Sequence, residues 1–555
     1  MIAPLMERRV FWAAVAVVAL CALWLRFWGL SYGLPQSFNA DEPHHVNVAI
    51  SFGRGSLNPL LFKYPTLWMY TMFGAYGAFF VGWSGFGLLR SVSDFGALFA
   101  WNSGTFYLIA RLLSAGFSVL GLIAVYRSAL ALERPRVGLW AATLLAASPT
   151  LVVSAHAAKP DSLMFFFAAF AWLLALRYLD SGKKRALFAC AAATGLCVST
   201  QYVAAPIILL GPLVWAARWL ETGEASPRLL AICGAVVPAA FFAGSPFVLI
   251  AWRSAWRDIA DTGVMASVGD PAGVVVLKNL GTFADPLFLG GVFAVGGLAW
   301  LYRSRRSLAL VFSIPILVQV VFLACSPNGG WARFLIPVFP ALALAAAFAI
   351  ESLLLKIKHS EPLRALVLIV LLAPGAVSAW AFDSELVLPD TRTSAEAWIR
   401  EEIPRNASIL TFNPHTAPRL QPSKEHVETL LKKLGTHPRA RLYGIMAKTH
   451  PGGGFRVYRI AQDADVLQSG PQHVKFSSAG RAVVDVREGV APARRAGVEY
   501  FVYTSYGTNA EGFRRLSKFL SEIERESDLI KEFSPEPDIR RGPVVKIYRI
   551  KEPVS

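Results

Sequence analysis

VFWAAVAVVALCALWLRFWGL, residues 10–30, is a predominantly apolar run long enough to cross a hydrocarbon core of ~30 Å as a helix. Arg8 and Arg9 precede it and no small-residue cleavage site closes it. It therefore reads as an uncleaved signal anchor with its N-terminus in the cytoplasm. Ten more such blocks follow near 105–126, 137–155, 163–179, 186–201, 203–219, 229–250, 286–302, 308–325, 334–351 and 363–382. About eleven spans make the chain a polytopic α-helical membrane protein. The composition agrees: of 555 residues, 55% are hydrophobic and 16% charged, where soluble domains carry about 25% charged residues.

Alternating spans from a cytoplasmic start puts four basic groups in inner loops. They are Arg127, Arg134 and Arg136; Lys183, Lys184 and Arg185; Arg303, Arg305 and Arg306; and Lys356, Lys358 and Arg364. The predicted outer loops hold few basic residues, chiefly Lys159, Arg253, Arg257, Lys278 and Arg333. That is the positive-inside pattern, and it accounts for much of the net charge of +17 without nucleic acid. No basic stripe interleaved with aromatics is present, so no nucleic-acid partner is expected. The apolar stretch Tyr64–Leu89 would invert every later loop if it crossed the membrane. Residues 31–104 are therefore read as one large first outer loop with juxtamembrane or re-entrant helices.

Beyond Phe382 the composition changes. Residues 390–555 hold 27 Lys and Arg against 20 Asp and Glu, half of all basic residues. The organisation is thus a transmembrane domain over 1–382 and an extracytoplasmic α/β domain over 383–555. In the latter, Thr393 and Glu396 have capping-box spacing for a helix through Ile403. Strands are expected at Ser408–Phe412, Glu499–Thr504 and Val544–Ile550, and an amphipathic helix near Gly512–Glu526. Gly452-Gly453-Gly454 has no phosphate-loop context and reads as a flexible turn. Cys21, Cys190, Cys197, Cys233 and Cys325 all fall in apolar blocks, which leaves the hydrophilic domain without a disulfide framework.

Charge near membrane depth is costly, by roughly 2.5–3.5 kcal/mol on insertion scales, so residues that keep it are functional candidates. Asp41 and Glu42 directly follow the first span; one carboxylate suits proton transfer and the other orientation of a hydroxyl. Asp41-Glu42-Pro43 is also a good helix start, so N-capping competes with that role. His44 and His45 diverge on a helix and are poor metal ligands together. Lys159 and Asp161 stand where the third span exits. Arg111 and Arg333 open two other spans, and with Lys63 they offer cations that suit phosphate oxygens, although interfacial snorkelling would also explain them.

In this order, five segments resemble membrane glycosyltransferases that use polyprenyl-phosphate sugars. Asp41-Glu42 is similar to the acidic first-loop motif of protein O-mannosyltransferases. Lys63-Tyr64-Pro65-Thr66-Leu67 resembles the Lys-Pro-Pro-Leu segment of aminoarabinose and related lipid A transferases, with Tyr64 in place of the second proline. Ala110-Arg111-Leu112-Leu113-Ser114-Ala115 resembles the Arg-Leu segment of these enzymes. Lys159-Pro160-Asp161-Ser162-Leu163-Met164-Phe165-Phe166 resembles their second acidic motif, and Arg333-Phe334-Leu335-Ile336-Pro337 their late Arg-Tyr-x-Leu-Pro segment.

The resemblance implies the C-type glycosyltransferase fold and a polyprenyl-phosphate sugar donor lying in membrane lipid. The acceptor would be a hydroxyl of a lipid, glycan or protein. Asp41 would be the general base and Glu42 would position the acceptor. Arg111, Lys63 and Arg333 would meet the donor phosphate, with Lys159 and Asp161 as the second acidic motif. No cofactor is required by this chemistry, although some relatives place a divalent metal near the first-loop acids, and Asp41 with Asp161 would be its ligands. The site and the 383–555 domain would face away from the cytoplasm, most naturally across a bacterial-type inner membrane. The alternative is a secondary transporter or lipid-linked sugar flippase, but the two halves of the chain show no repeat. A non-catalytic scaffold would not need these charges to face one compartment.

Overall fold

The computed structural model describes residues 5–223, 226–266, 271–282, 287–325, 330–357, 361–435, 439–461, 475–476, 481–508 and 510–551. Among the described residues, eight helices are long and apolar enough to cross a membrane, or nine if a pair bent by 65° counts as one span. The chain is a multi-pass membrane protein. Two further expected positions are also helical, Lys184–Thr200 and Leu287–Ser304. The helix Leu67–Gly85 is not among the eight, and the rest of the first loop carries the helices Glu42–Ser51 and Val92–Trp101.

By compactness the chain divides into two units. The first comprises Met1–Leu30, Asp41–Gly77 and Leu108–Ser384; the second comprises Ser31–Ala40, Ala78–Tyr107 and Glu385–Ser555.

In the first unit small residues let helices approach closely, as suits packing in lipid. A Cβ at Gly297 would lie 1.8 Å from the Ala345 carbonyl oxygen, so only glycine allows Leu287–Ser304 to lie against Phe339–Lys356. Trp172 stacks on Phe312 at 5.1 Å and both are buried. The bent pair is Pro135–Ala146 and Pro149–Ala155. Ser148 is extended (ψ 115°), as the residue before a proline prefers, and the helix stops there. The break frees carbonyls that lipid cannot satisfy. Arg26, fully buried, supplies the donors: it reaches Leu145 O and Ala146 O at 3.1 Å and Ser118 Oγ at 2.9 Å.

Among the described residues the second unit contains a seven-stranded sheet: β1 (Ser408–Thr411), β2 (Arg456–Ile460), β3 (Lys475–Phe476), β4 (Ala482–Val484), β5 (Tyr500–Thr504), β6 (Ser527–Phe533) and β7 (Val545–Ile550). Their order is β3-β4-β2-β1-β5-β7-β6. Strands β4, β2, β1 and β5 run parallel, while β3, β7 and β6 are antiparallel to their neighbours. Every residue of β1 is buried, as a central strand covered on both faces requires. Alternation sends Leu410 and Phe501 to one core with Phe519 and Tyr548, and Ile409 and Val502 to the other with Ile399 and Ile547.

The helix expected from Thr393 starts earlier, at Thr391, and its N-cap is Asp390. The Asp390 carboxylate accepts the Arg392 N–H at 2.9 Å and is clamped by the Arg392 guanidinium at 2.8 and 2.7 Å. That fork makes Asp390 the better cap than Thr393. The expected amphipathic helix runs Ala510–Glu526.

Candidate active site

The site lies in the first unit and begins with helix Glu42–Ser51. Asp41 occupies the N-cap position, but its φ and ψ (−85°, −31°) are helical and its side chain makes no capping hydrogen bond. The carboxylate turns instead to cations: Lys159 Nζ at 3.0 Å and Arg333 Nη1 at 3.3 Å from Oδ2. The Asp41 side chain remains 40% exposed, so it is both held and reachable. Burial favours its neutral form, but Lys159 and then Arg333 outweigh that and hold the carboxyl below the usual carboxylate range.

Glu42 points the other way. It is fully buried and takes the Arg111 guanidinium as a fork, Nε to Oε1 and Nη2 to Oε2, both 2.8 Å. Arg111 also donates to Leu30 O at 2.8 Å. Glu42 Oε1 accepts the Ala158 N–H at 2.8 Å, while Ser114 Oγ donates to Ala157 O at 2.7 Å and Trp68 Nε1 to Ala158 O at 3.3 Å. Arg111 and Ser114 are three apart on helix Gly104–Leu130 and so share a face. Together these bonds strap residues 157–158 and thereby aim Lys159 at Asp41.

Lys159 Nζ also lies 3.7 Å from Asp161 Oδ2. Asp161 is buried at the first turn of helix Asp161–Ser181, where the helix dipole favours a negative charge. Arg333 opens the 3-10 turn Ala332–Val338 and lies over the rings of Trp331 and Phe334, at 5.4 and 5.3 Å. Lys63 is half-buried; its charge, after burial, helps push the His44 imidazole below its ordinary value. His45, also buried, is pushed down to about 3, chiefly by burial and then by His44 and Lys159. The two histidine rings pack on Tyr64, with centroids 5.5 and 4.7 Å away.

Six of the seven expected residues thus form two clusters, Asp41, Lys159, Asp161 and Arg333 in one and Glu42 and Arg111 in the other, while Lys63 lies near His44. Arg111 is spent on Glu42 rather than presented at the exposed carboxylate. A metal on Asp41 and Asp161 does not fit: the Lys159 ammonium contacts both carboxylates, and among the described residues no group of three His, Cys, Asp or Glu side chains is arranged as metal ligands. A buried polar set, Arg26, His156 and Asp383, lies outside the residues expected from sequence. His156 Nε2 lies 2.8 Å from Trp28 O and 3.5 Å from Asp383 Oδ1. The sequence signal is Arg26, a charge inside the first apolar block, and Asp383, one residue beyond the last.

Residues 98–243 match the family model described as dolichyl-phosphate-mannose-protein mannosyltransferase. Among curated proteins, none matches the sequence. Among solved structures, ArnT from Cupriavidus metallidurans bound to undecaprenyl phosphate is similar, with a TM-score of 0.53, 15% identity and 98% of each chain covered. The apo oligosaccharyltransferase of Archaeoglobus fulgidus matches with a TM-score of 0.50 and 14% identity, over 89% of this chain and 69% of that one. The oligosaccharyltransferase AglB of the same organism, in complex with an inhibitory peptide and a dolichol-phosphate, matches with a TM-score of 0.50 and 13% identity, over 95% of this chain and 74% of that one. The chain has the fold of these transferases, with a sheet-containing C-terminal region.

Proposed function

We propose that the protein is a membrane glycosyltransferase that moves a sugar from a polyprenyl-phosphate donor to a hydroxyl of a lipid, glycan or protein acceptor, with inversion. The observation that carries this reading is Asp41, an exposed carboxylate held between Lys159 and Arg333. The family description over residues 98–243 and the prenyl phosphates bound by two proteins of the same fold support it.

In this mechanism Asp41 takes the proton of the acceptor hydroxyl. The oxygen attacks the anomeric carbon from the face opposite the phosphate, the bond from that carbon to the phosphate oxygen breaks, and prenyl phosphate leaves with the electron pair. The transition state is oxocarbenium-like. Arg333 and Lys159, with Lys63, stabilise the charge that grows on the departing phosphate. Arg111 acts as a positioning residue through Glu42, in place of the phosphate contact first expected of it.

The same two cations serve Asp41 and the phosphate, and this has a consequence for pH. Donor phosphate draws Lys159 and Arg333 from Asp41, which returns the depressed carboxyl toward a stronger base. Activity falls as pH drops through the Asp41 pKa, in free enzyme for kcat/KM and in the bound complex for kcat. The acidic limb of kcat should therefore lie at higher pH than that of kcat/KM. Coincident limbs would show that donor phosphate does not compete for these cations.

The reading also places the site and residues 383–555 outside the cytoplasm, because the basic loops alternate. A reporter active only in the cytoplasm and fused after Ser555 should be silent; strong activity would overturn the orientation. The test of the reading as a whole is turnover of a prenyl-phosphate sugar by the purified protein, followed as release of prenyl phosphate, with the product's anomeric configuration opposite to the donor's.

A further inference from the structure

The second unit holds a cavity of about 770 Å³ that the transfer chemistry does not use. Its volume falls within the ~300–1,000 Å³ usual for small-molecule sites. It is walled by the C-terminal end of helix Val92–Trp101, helix Thr391–Glu402 and the loop Gly452–Gly454. Three of its charged side chains are arginines, Arg400, Arg405 and Arg419, against one carboxylate, Glu396. Trp101, Leu420, Met446 and Phe455 add apolar surface.

The framework is built by specific bonds. Arg419 Nη2 donates to Trp101 O at 2.5 Å, the Trp101 indole N–H donates to Thr449 Oγ1 at 3.1 Å, and Gln421 Nε2 donates to Gly452 O at 2.7 Å. The three glycines all have positive φ (93°, 68° and 94°), and a Cβ at Gly454 would lie 2.7 Å from Pro422 O. The triplet is therefore a formed wall, where the sequence suggested only a flexible turn. A Cβ at Gly453 would lie 4.0 Å from Arg405 Nε, which puts the Arg405 side chain beside this wall.

The charges are unequally spent. Glu396 is 3.3 Å from Arg400, and burial raises its pKa against the opposing pull of Arg419 and Arg400. Among the described residues, Arg405 makes no hydrogen bond or ion pair, and Arg400 pairs only with Glu396. The cavity thus carries surplus positive charge on guanidinium groups, each able to fork onto a phosphate or carboxylate. It also carries a carboxylate that repels a bare anion but accepts hydroxyl protons, and apolar walls suited to the C–H face of a ring.

We propose that this cavity binds an anionic saccharide, a sugar ring bearing a phosphate or a carboxylate. The inference is independent of the transfer reading, since binding is measured without turnover. The full-length protein in detergent is titrated calorimetrically with glucose 6-phosphate, glucuronate, glucose and inorganic phosphate. At least one of the two anionic sugars should bind at least about tenfold more tightly than both glucose and inorganic phosphate; which of them is tighter names the anionic group.

Arg405→Ala, which breaks no bond of the fold, should weaken that binding about tenfold, and Arg400→Ala/Arg405→Ala further. These variants leave Lys159 and Arg333 intact, so a loss assigns the binding to this cavity. Equal binding of glucose, equal binding of inorganic phosphate, unchanged affinity in both variants, or no saturable binding of either anionic sugar would each overturn the proposal.

Discussion

Asp41→Asn should abolish transfer while the protein remains folded and inserted. Asparagine keeps the size of the side chain and its ability to cap a helix, and removes only the basic oxygen. Capping is not what Asp41 does, since its side chain makes no capping bond and faces Lys159 and Arg333. Loss of a positioned base costs about 10²–10⁴-fold in rate. The charge also balances two cations, so the variant should bind donor phosphate no less tightly, and KM should stay level or fall as kcat collapses. Initial rates at saturating donor, normalised to inserted protein, decide the matter. A kcat near wild type would remove Asp41 from the proton transfer.

Arg111→Ala should be the most destabilising single change in the site, by about 3–5 kcal/mol, because it strands a buried carboxylate without its counter-ion. Glu42 and Arg111 are both fully buried, and their two 2.8 Å bonds are side by side. Arg111→Lys keeps the charge and loses the fork, so it should recover part of the stability. The double change Glu42→Leu/Arg111→Leu should recover most of it, since apolar replacement of a buried pair is often neutral. It should not recover turnover, because the Ala158 N–H then loses the acceptor that helps aim Lys159. The readout is the thermal midpoint of each variant in the same detergent, beside its rate. If Arg111→Ala melted like wild type but needed far more donor, Arg111 would be a phosphate contact after all.

The two residues show where sequence reading ends. Adjacent carboxylates after a span, and an arginine opening another, are chemically conspicuous in a chain that is 55% hydrophobic. Their partners are not, because Glu42 and Arg111 lie 69 positions apart and only the fold brings them together. Neighbours in sequence also take opposite roles: Asp41 stays partly exposed and Glu42 is buried, a consequence of one step of helix rotation. The apolar helices were legible because lipid demands about twenty apolar residues in a row. The sheet was only partly so. Strand β5 is an apolar run and β7 alternates over six residues as Val-Lys-Ile-Tyr-Arg-Ile, whereas β2 is a shorter Arg-Val-Tyr-Arg-Ile and β4 has three residues, too little pattern to distinguish from a loop. Arg26 stands near one end of an apolar block, where snorkelling explains an arginine; its partners include two carbonyls of a helix broken at Ser148, which only the fold reveals.

The central claim is that this chain cleaves a prenyl-phosphate sugar at the Asp41 centre. It is tested most directly by incubating purified wild type and Asp41→Asn with a panel of prenyl-phosphate sugars and membrane acceptors, and measuring prenyl phosphate released per inserted protein. Wild type should release prenyl phosphate with at least one donor, dependent on acceptor, and release should fall by about 10²-fold or more in the variant. Release that is equal in the two proteins, or absent in wild type with every donor while the protein remains folded, would contradict it.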